Sequence, residues 1–544
     1  VQSRPLRRQI VGLWPLTFLL IALIWPLSAA FGISFAQGAQ GLIDVFNDDY
    51  TWRVLAFTTW QALLSTLLTV LAAVPGAYVF SHYDFPGRRW LQAAAGVPFV
   101  LPTVVVALAF NALFGQRGLF GLLGLPVLPG EGLFPVLLAH VFYNYTVVLR
   151  LVGEAWSRLD PRLGAAAALL GASRRQVLLH VTLPLLLPSI AAAAALVFLF
   201  CFTSFAVVLI LGGARMATLE TAIYRATSQF LQLDTAAALA LLQLLVTAAL
   251  SAAAAWLARR SARPLEAQPR RLLQVPRGPA ARALVTLNVL LVLVLLAAPP
   301  LGLVLRSLLL PAEDGGWRLS VEAYRALTEN RSGSAFYVPP WSALLVSART
   351  ALTAAAISLL IGLPAAYHIA DARRSALLET FYSLPIGVSS VTLSLGYLVA
   401  LSTPQLGALR THPLLIPLLH SLVALPLVIR ALLPVLRARQ PRLREAAALL
   451  GAPPWRSWLT VELPLLLPAV GVALIFALAV SLGEFGATLL LARPEAPTLP
   501  VMIFRFLSLP GALNYGQALA MSSLLMLLTA VLFVLIERLQ ARRG

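Results

Sequence analysis

Long apolar runs alternate along this chain with short polar turns rich in arginine. The runs at 13–31, 190–213, 283–305 and 521–536 are the plainest, and a helix needs about 20 apolar residues to cross the hydrocarbon of a bilayer. The regular alternation that marks a membrane barrel is absent. The pattern therefore predicts helical spans, twelve in number, near 11–33, 55–80, 91–114, 133–156, 183–212, 235–257, 283–307, 342–369, 380–402, 414–436, 463–492 and 515–538. The first follows Arg4, Arg7 and Arg8 and is as long as a full span, so it is expected to stay in the membrane rather than to be removed as a leader.

One polar stretch stands apart. Residues 258–282, ARRSARPLEAQPRRLLQVPRGPAAR, are basic and proline-bearing, and read as a linker between two units, 1–257 and 283–544. The units are repeats. Between Pro161–Ile190 and Pro441–Val470, 18 of 30 positions are identical without a gap. The same offset pairs His140 with His420, Arg150 with Arg430, and TLETAIYR (218–225) with TLPVMIFR (498–505). Six spans return the chain to the side it started from, so the repeats run parallel and are related by a pseudo-two-fold axis along the membrane normal. Such a pair encloses a path on that axis.

The strongest repeat is a junction, PRLGAAAALLGASRRQVLLHVTLPLLLP at 161–188 and PRLREAAALLGAPPWRSWLTVELPLLLP at 441–468. In each copy a proline opens a short alanine-rich helix. Gly171 or Gly451 ends it, because glycine takes the left-handed cap without steric cost. A second piece then turns back to the bilayer, where Leu-Pro starts the next span. Two copies on one face argue for two docking elements rather than two plain connections.

Composition supports the membrane reading and narrows the rest. The chain is 60% hydrophobic and 11% charged, with a mean hydropathy of +0.86, which excludes a soluble globular class. The net charge of +19 does not imply nucleic acid as a partner, because the basic residues gather in the turns between spans. All 40 of them are arginine, and 26 fall on one face if the N-terminus is cytoplasmic; the positive-inside rule then sets both termini in the cytoplasm. Without lysine there is no phosphate-binding Walker loop, so no ATPase of that kind resides in this chain. Cys201 is the lone cysteine, which rules out an internal disulfide and a cysteine metal cluster.

The stretch EAAALLGAPPWRSWLTVELP resembles the EAA loop of ABC-importer permeases, with Glu445, Ala446, Ala447, Gly451, Val461, Leu463 and Pro464 at the matching positions. The first copy matches at Ala166, Ala167, Gly171, Val181, Leu183 and Pro184 and departs at Ala165, where the pattern has glutamate. The resemblance covers essentially the whole chain. It implies an all-α polytopic membrane protein with the type I importer (MetI-like) fold, made of two tandem parallel six-helix repeats. It implies coupling helices seated on two copies of a separate ATPase that binds ATP and magnesium, an extracytoplasmic substrate-binding protein, residence in a bacterial cytoplasmic (inner) membrane, and no cofactor or catalysis in this chain. Fusion of both halves in one chain narrows the field to permeases for thiamine and for ferric iron. FGQRGLFG (114–121), LLAHVFYNYTVVLRL (137–151), CFTSFAVVLILGG (201–213) and TLETAIYRA (218–226) are similar to the thiamine permeases.

Ionisable and polar groups inside spans point to the path. Glu484, in SLGEFG, is the sharpest, since a charge at mid-membrane costs about 2.5–3.5 kcal/mol on insertion scales. It is expected to face the axis and offer charge to a cationic substrate, with Ser204 as its counterpart and Tyr143 and Asn144 as polar edges nearby. Arg349 is a possible partner for Glu484. His140 and His420 are expected to tie helices together rather than to bind metal. Pro98, Pro102, Pro385 and Pro426 are expected to break or kink their spans. An ion-driven transporter would favour inverted repeats and buried acidic pairs, and a membrane enzyme a constellation such as H-E-x-x-H; this chain shows parallel repeats, few acids within spans and no such constellation.

Overall fold

A computed structural model describes residues 13–36, 40–115, 118–124, 129–213, 216–261, 273–311, 316–329, 338–372 and 375–541. Helices dominate, and the one described sheet is a small antiparallel pair, Leu309–Pro311 with Trp317–Leu319. Among the described residues eleven helices are long and apolar enough to cross a membrane. The expected twelfth, at 380–402, is not one helix. It is built from Ser375–Tyr382, Leu384–Gly387 and Ser390–Ala400. Span three is divided in the same way, into Arg88–Ala94, Val97–Val100 and Thr103–Phe114.

The cause of both divisions is legible. Pro98 and Pro385 sit at the start of the central four-residue pieces, and an extended residue follows each piece: Leu101 before Pro102, and Val388 before Ser389. A residue preceding proline is pushed out of the helical region, and Ser389 caps the next helix by accepting the amides of Val391 and Thr392. Pro426, by contrast, lies inside the continuous helix Leu415–Arg437. Spans five and eleven also break. Leu183–Phe202 is followed by Ala206–Leu211, and Leu463–Gly483 by Gly486–Leu491, with Ser204 and Glu484 in the gaps.

The two sequence repeats exchange their first helices. Span one packs on the second half: its Leu19, Ala22, Leu23 and Leu27 share a core with Leu393, Tyr397 and Leu425, and the Tyr397 hydroxyl donates to the Ala22 carbonyl at 2.8 Å. Gly396 permits this approach, since a Cβ there would meet the backbone of Pro26 at 2.8–2.9 Å. Span seven, Pro279–Ser307, packs reciprocally on Thr103–Phe114 of the first half, where Gly302 faces the Leu113 side chain. The helices flanking the linker run to Ser261 and from Pro279. Residues 262–272 of the linker lie outside the described residues, and Gln274 pairs with the end of span two through its amide to the His82 carbonyl and its carbonyl to the Asp84 amide.

Candidate functional site

Two features stand out as candidates: a pair of repeated loops, and a cluster where the broken spans meet.

Each loop contains a nine-residue helix, Pro161–Leu169 or Pro441–Leu449. Gly171 and Gly451 follow with φ of +87° and +79°, in the left-handed region. The amide after each glycine closes the helix end, Ala172 to the Ala167 carbonyl and Ala452 to Ala447, both at 3.0 Å. Ala166, Glu445 and Ala446 are exposed, and Ala167 and Ala447 half-buried. Sequence reasoning missed the most exposed apolar groups. Leu169 and Leu170 are 89% and 90% exposed, and Leu449 and Leu450 89% and 88%. Their signal was available, because the Leu-Leu-Gly run recurs in both copies. Glu445 is exposed.

After each loop the chain re-enters the bundle through a widened turn, Leu178–Thr182 or Trp458–Glu462. The Leu183 amide reaches back to the Leu178 carbonyl, and the Leu463 amide to Trp458. Pro184 and Pro464 come next, and a proline neither donates to the preceding turn nor fits tightly against it. The second loop is also held by charge. Glu462 faces Arg444 at 3.3 Å and Arg439 at 3.6 Å and accepts the Tyr367 hydroxyl at 3.0 Å. The Trp458 indole donates to that same hydroxyl at 3.0 Å.

The second feature lies on the pseudo-two-fold axis. Phe205 and Phe485 occupy equivalent positions, 280 residues apart, and their rings stack on each other with centroids 5.7 Å apart. A residue that touches its own repeat counterpart must lie on the axis relating the halves. Tyr224 packs on Phe205 at 5.4 Å, and its counterpart Phe504 packs on Phe485 at 5.4 Å. Glu484 stands beside this stack and is half-buried. It accepts the Ala487 amide at 3.0 Å and bonds the Ser390 hydroxyl. Arg349 is exposed on span eight, away from this cluster. Gly486 lets span nine come close, since a Cβ there would meet the Ser390 hydroxyl at 2.5 Å.

The other expected residues serve the halves themselves. His140 bonds Ser65 and Ser204, both at 2.9 Å. His420 bonds Ser481 and Thr488, both at 2.7 Å. Both rings thus tie helices together, as expected, with each nitrogen occupied. Asn144 is buried in the first half, donating to the His140 carbonyl and lying against the Cys201 sulfur. The Tyr143 hydroxyl donates to the Leu101 carbonyl at 2.9 Å, which satisfies the backbone at the break in span three. Among the described residues no three His, Cys, Asp or Glu side chains gather as a metal site would require.

Comparison with known proteins fits this duplicated architecture. The family of binding-protein-dependent transport system inner membrane components matches at residues 70–263 and again at 358–544, one match per repeat. The chain belongs to that family. It is 30% identical over 516 residues to the thiamine transport system permease protein ThiP of Escherichia coli (strain K12), covering 92% of this chain and 91% of that protein. It is 28% identical over 535 residues to the protein of the same name from Brucella abortus (strain 2308), covering 95% and 93%. The Haemophilus influenzae protein is 27% identical over 500 residues, covering 90% and 89%. This inner-membrane permease is thus a fused, two-repeat member of its family.

Proposed function

We propose that the chain is the complete membrane path of an ATP-driven importer for thiamine or its phosphates. The observation that carries the transport reading is the pair of equivalent loops, each presenting two water-exposed leucines beside a left-handed glycine on the same face. Burying a leucine is worth about 1.5–3 kcal/mol, so each loop offers an apolar plug to a complementary groove. Two equivalent plugs fit two copies of one ATPase, which supplies ATP and magnesium. The face bearing the loops, and both chain termini, are then cytoplasmic, in keeping with the arginine distribution. Ala166, Ala167, Gly171, Glu445, Ala446, Ala447 and Gly451 form the docking surfaces, and a substrate-binding protein delivers cargo to the opposite face.

Closure of the ATPases draws the loops together. Because each loop continues without a gap into span five or eleven, that displacement acts directly on the helices whose breaks carry Ser204 and Glu484. The substrate path follows the axis there, with Tyr143 and Asn144 one layer behind. Similarity to thiamine permeases over nine-tenths of the chain supports thiamine as cargo. Ferric iron, the other substrate of fused permeases, is the less favoured reading, since both span histidines are already engaged with hydroxyls.

The test is direct. The binding protein that co-purifies with this permease is titrated calorimetrically with thiamine, its phosphates and ferric iron. Tight thiamine binding is expected; tight iron binding with no thiamine response would overturn the substrate and leave the docking loops standing.

A further inference from the structure

The axis cluster contains a second carboxylate that the sequence did not single out. Glu220 is 1% exposed, on the short helix Leu219–Ser228 of the first half. Its Oε2 accepts the Ser389 hydroxyl at 2.6 Å, and its Oε1 accepts the Gln243 amide at 2.6 Å. Ser389 belongs to the second half and is the immediate neighbour of Ser390, which bonds Glu484. Two adjacent serines of span nine thus hold one carboxylate each. Gln243 lies ten residues into the helix starting at Leu233, a depth of about 15 Å at 1.5 Å per residue. That is the middle of a hydrocarbon layer roughly 30 Å thick.

Among the described residues no ion pair reaches either carboxylate. Arg505, on the helix Leu499–Leu507 of the second half, donates to the Pro494 carbonyl at 3.2 Å. Gln243 leaves its buried side-chain oxygen without a donor, next to the carboxylate its amide holds. Thr392, on the helix that Ser389 caps, also has a buried hydroxyl without a partner. Buried polar atoms are ordinarily satisfied, so the Gln243 oxygen marks a place beside Glu220 that is short of a donor. The aromatic quartet Tyr224, Phe205, Phe485 and Phe504 adds π faces, which attract cations electrostatically.

We propose that this cluster is a gate and recognition site for a flat organic cation. Phe205 and Phe485 shut the path by stacking on each other. When the halves part, a ring of the cargo takes the place of one stacked partner, and Glu220 and Glu484 supply the counter-charge. Glu220–Ser389 and the phenylalanine stack both join one half to the other, so parting the halves breaks both. The cargo class rests on the thiamine reading above; the position of the gate does not.

The experiment uses the whole transporter in liposomes, with its ATPase and binding protein. Cys201 is first replaced by serine, and cysteines are placed by Phe205→Cys and Phe485→Cys. A short bifunctional methanethiosulfonate reagent is then applied to the nucleotide-free and the ATP–vanadate-trapped forms, and cross-linked peptides are counted by mass spectrometry. We expect efficient cross-linking without nucleotide and at least a fivefold fall in the trapped form. Equal cross-linking in both would overturn the gate. In a second arm, Glu220→Gln with Glu484→Gln keeps the hydrogen-bonding shape and removes the charge. Thiamine moved per ATP hydrolysed is expected to fall at least tenfold, and wild-type yield from the double variant would overturn the recognition role. If the unmodified transporter moves no thiamine while cross-linking still follows nucleotide state, the substrate reading fails and the gate stands.

Discussion

The two repeated loops share a backbone and differ in how they are fastened to the bundle. In the second, Glu462 gathers Arg439, Arg444 and Tyr367, and Arg439 also pairs with Asp371 at the end of span eight. The residues 280 positions earlier are Thr182, Leu159, Gly164 and, for Trp458, Leu178, so none of that polar clamp can form in the first loop. The first half uses rings instead. Tyr78, which ends VPGAY (74–78) as Tyr367 ends LPAAY (363–367) at a slightly different offset, packs on His82 at 4.3 Å and on Trp156 at 5.2 Å. The first loop adds a local device that the second lacks, since Ser173 and Gln176 cap each other's backbone amides where the second loop has Pro453. Duplication has kept what dictates the backbone, namely the opening proline, the left-handed glycine, the leucine doublet and the Leu-Pro entry. It has let the anchors diverge. An apolar stack tolerates sliding, whereas an ion pair with a hydroxyl network fixes distance and angle. The second loop is therefore the stiffer lever.

The largest test removes what the loops share. Leu169→Asp with Leu170→Asp, or Leu449→Asp with Leu450→Asp, forfeits roughly 3–6 kcal/mol of apolar burial per loop, at least a hundredfold in affinity. Either pair is expected to halve the ATPase recovered with the permease, and all four together to abolish it. Retention of ATPase by the quadruple variant would show that docking is elsewhere and would dissolve the comparison.

The next test separates the loops. Glu462→Gln removes a mostly buried acceptor of charged partners, worth about 1.5–3 kcal/mol. Amide exchange is expected to quicken in 441–457 and to stay unchanged in 161–177. The same acceleration in both loops would mean that the clamp stabilises the whole bundle and not its own lever. Ser173→Ala is the reciprocal and smaller change. Losing an N-cap costs about 1 kcal/mol, so exchange should quicken across 174–178 alone.

Much of this was legible beforehand, for physical reasons that differ by feature. Spans and loops follow from composition and from proline and glycine, whose effects are local, and most of them lie where the sequence set them, with spans three and nine divided. The three-piece form of span nine was only half visible: Pro385 announced a break, but the extended Val388 and the capping Ser389 carry no strong signal in an apolar run. Glu220 was hidden for another reason. Its stretch, TLETAIYR, is recognisable only as a repeated segment outside the predicted spans, and only the packing of the helix Leu219–Ser228 into the bundle brings Glu220 to Ser389. Phe205 and Phe485 looked like two of many apolar residues, because a contact across the axis leaves no trace in either repeat alone.

The smallest effect concerns one of the positions where the loops differ on their outer surface. Glu445 is exposed, and its counterpart is Ala165. An exposed ion pair contributes about 0–1 kcal/mol and is screened by salt. If Glu445 meets a basic group of the ATPase, Glu445→Ala should weaken docking by up to about fivefold at low salt, with the difference vanishing at high salt. Ala165→Glu should strengthen docking by a similar factor, because the equivalent groove of a second identical ATPase subunit presents the same basic group. Opposite signs for the two substitutions would show that the grooves are alike and that the asymmetry belongs to the permease. A loss from both would show that each loop has been fitted to a different surface, and that the unequal anchors are matched to unequal partners.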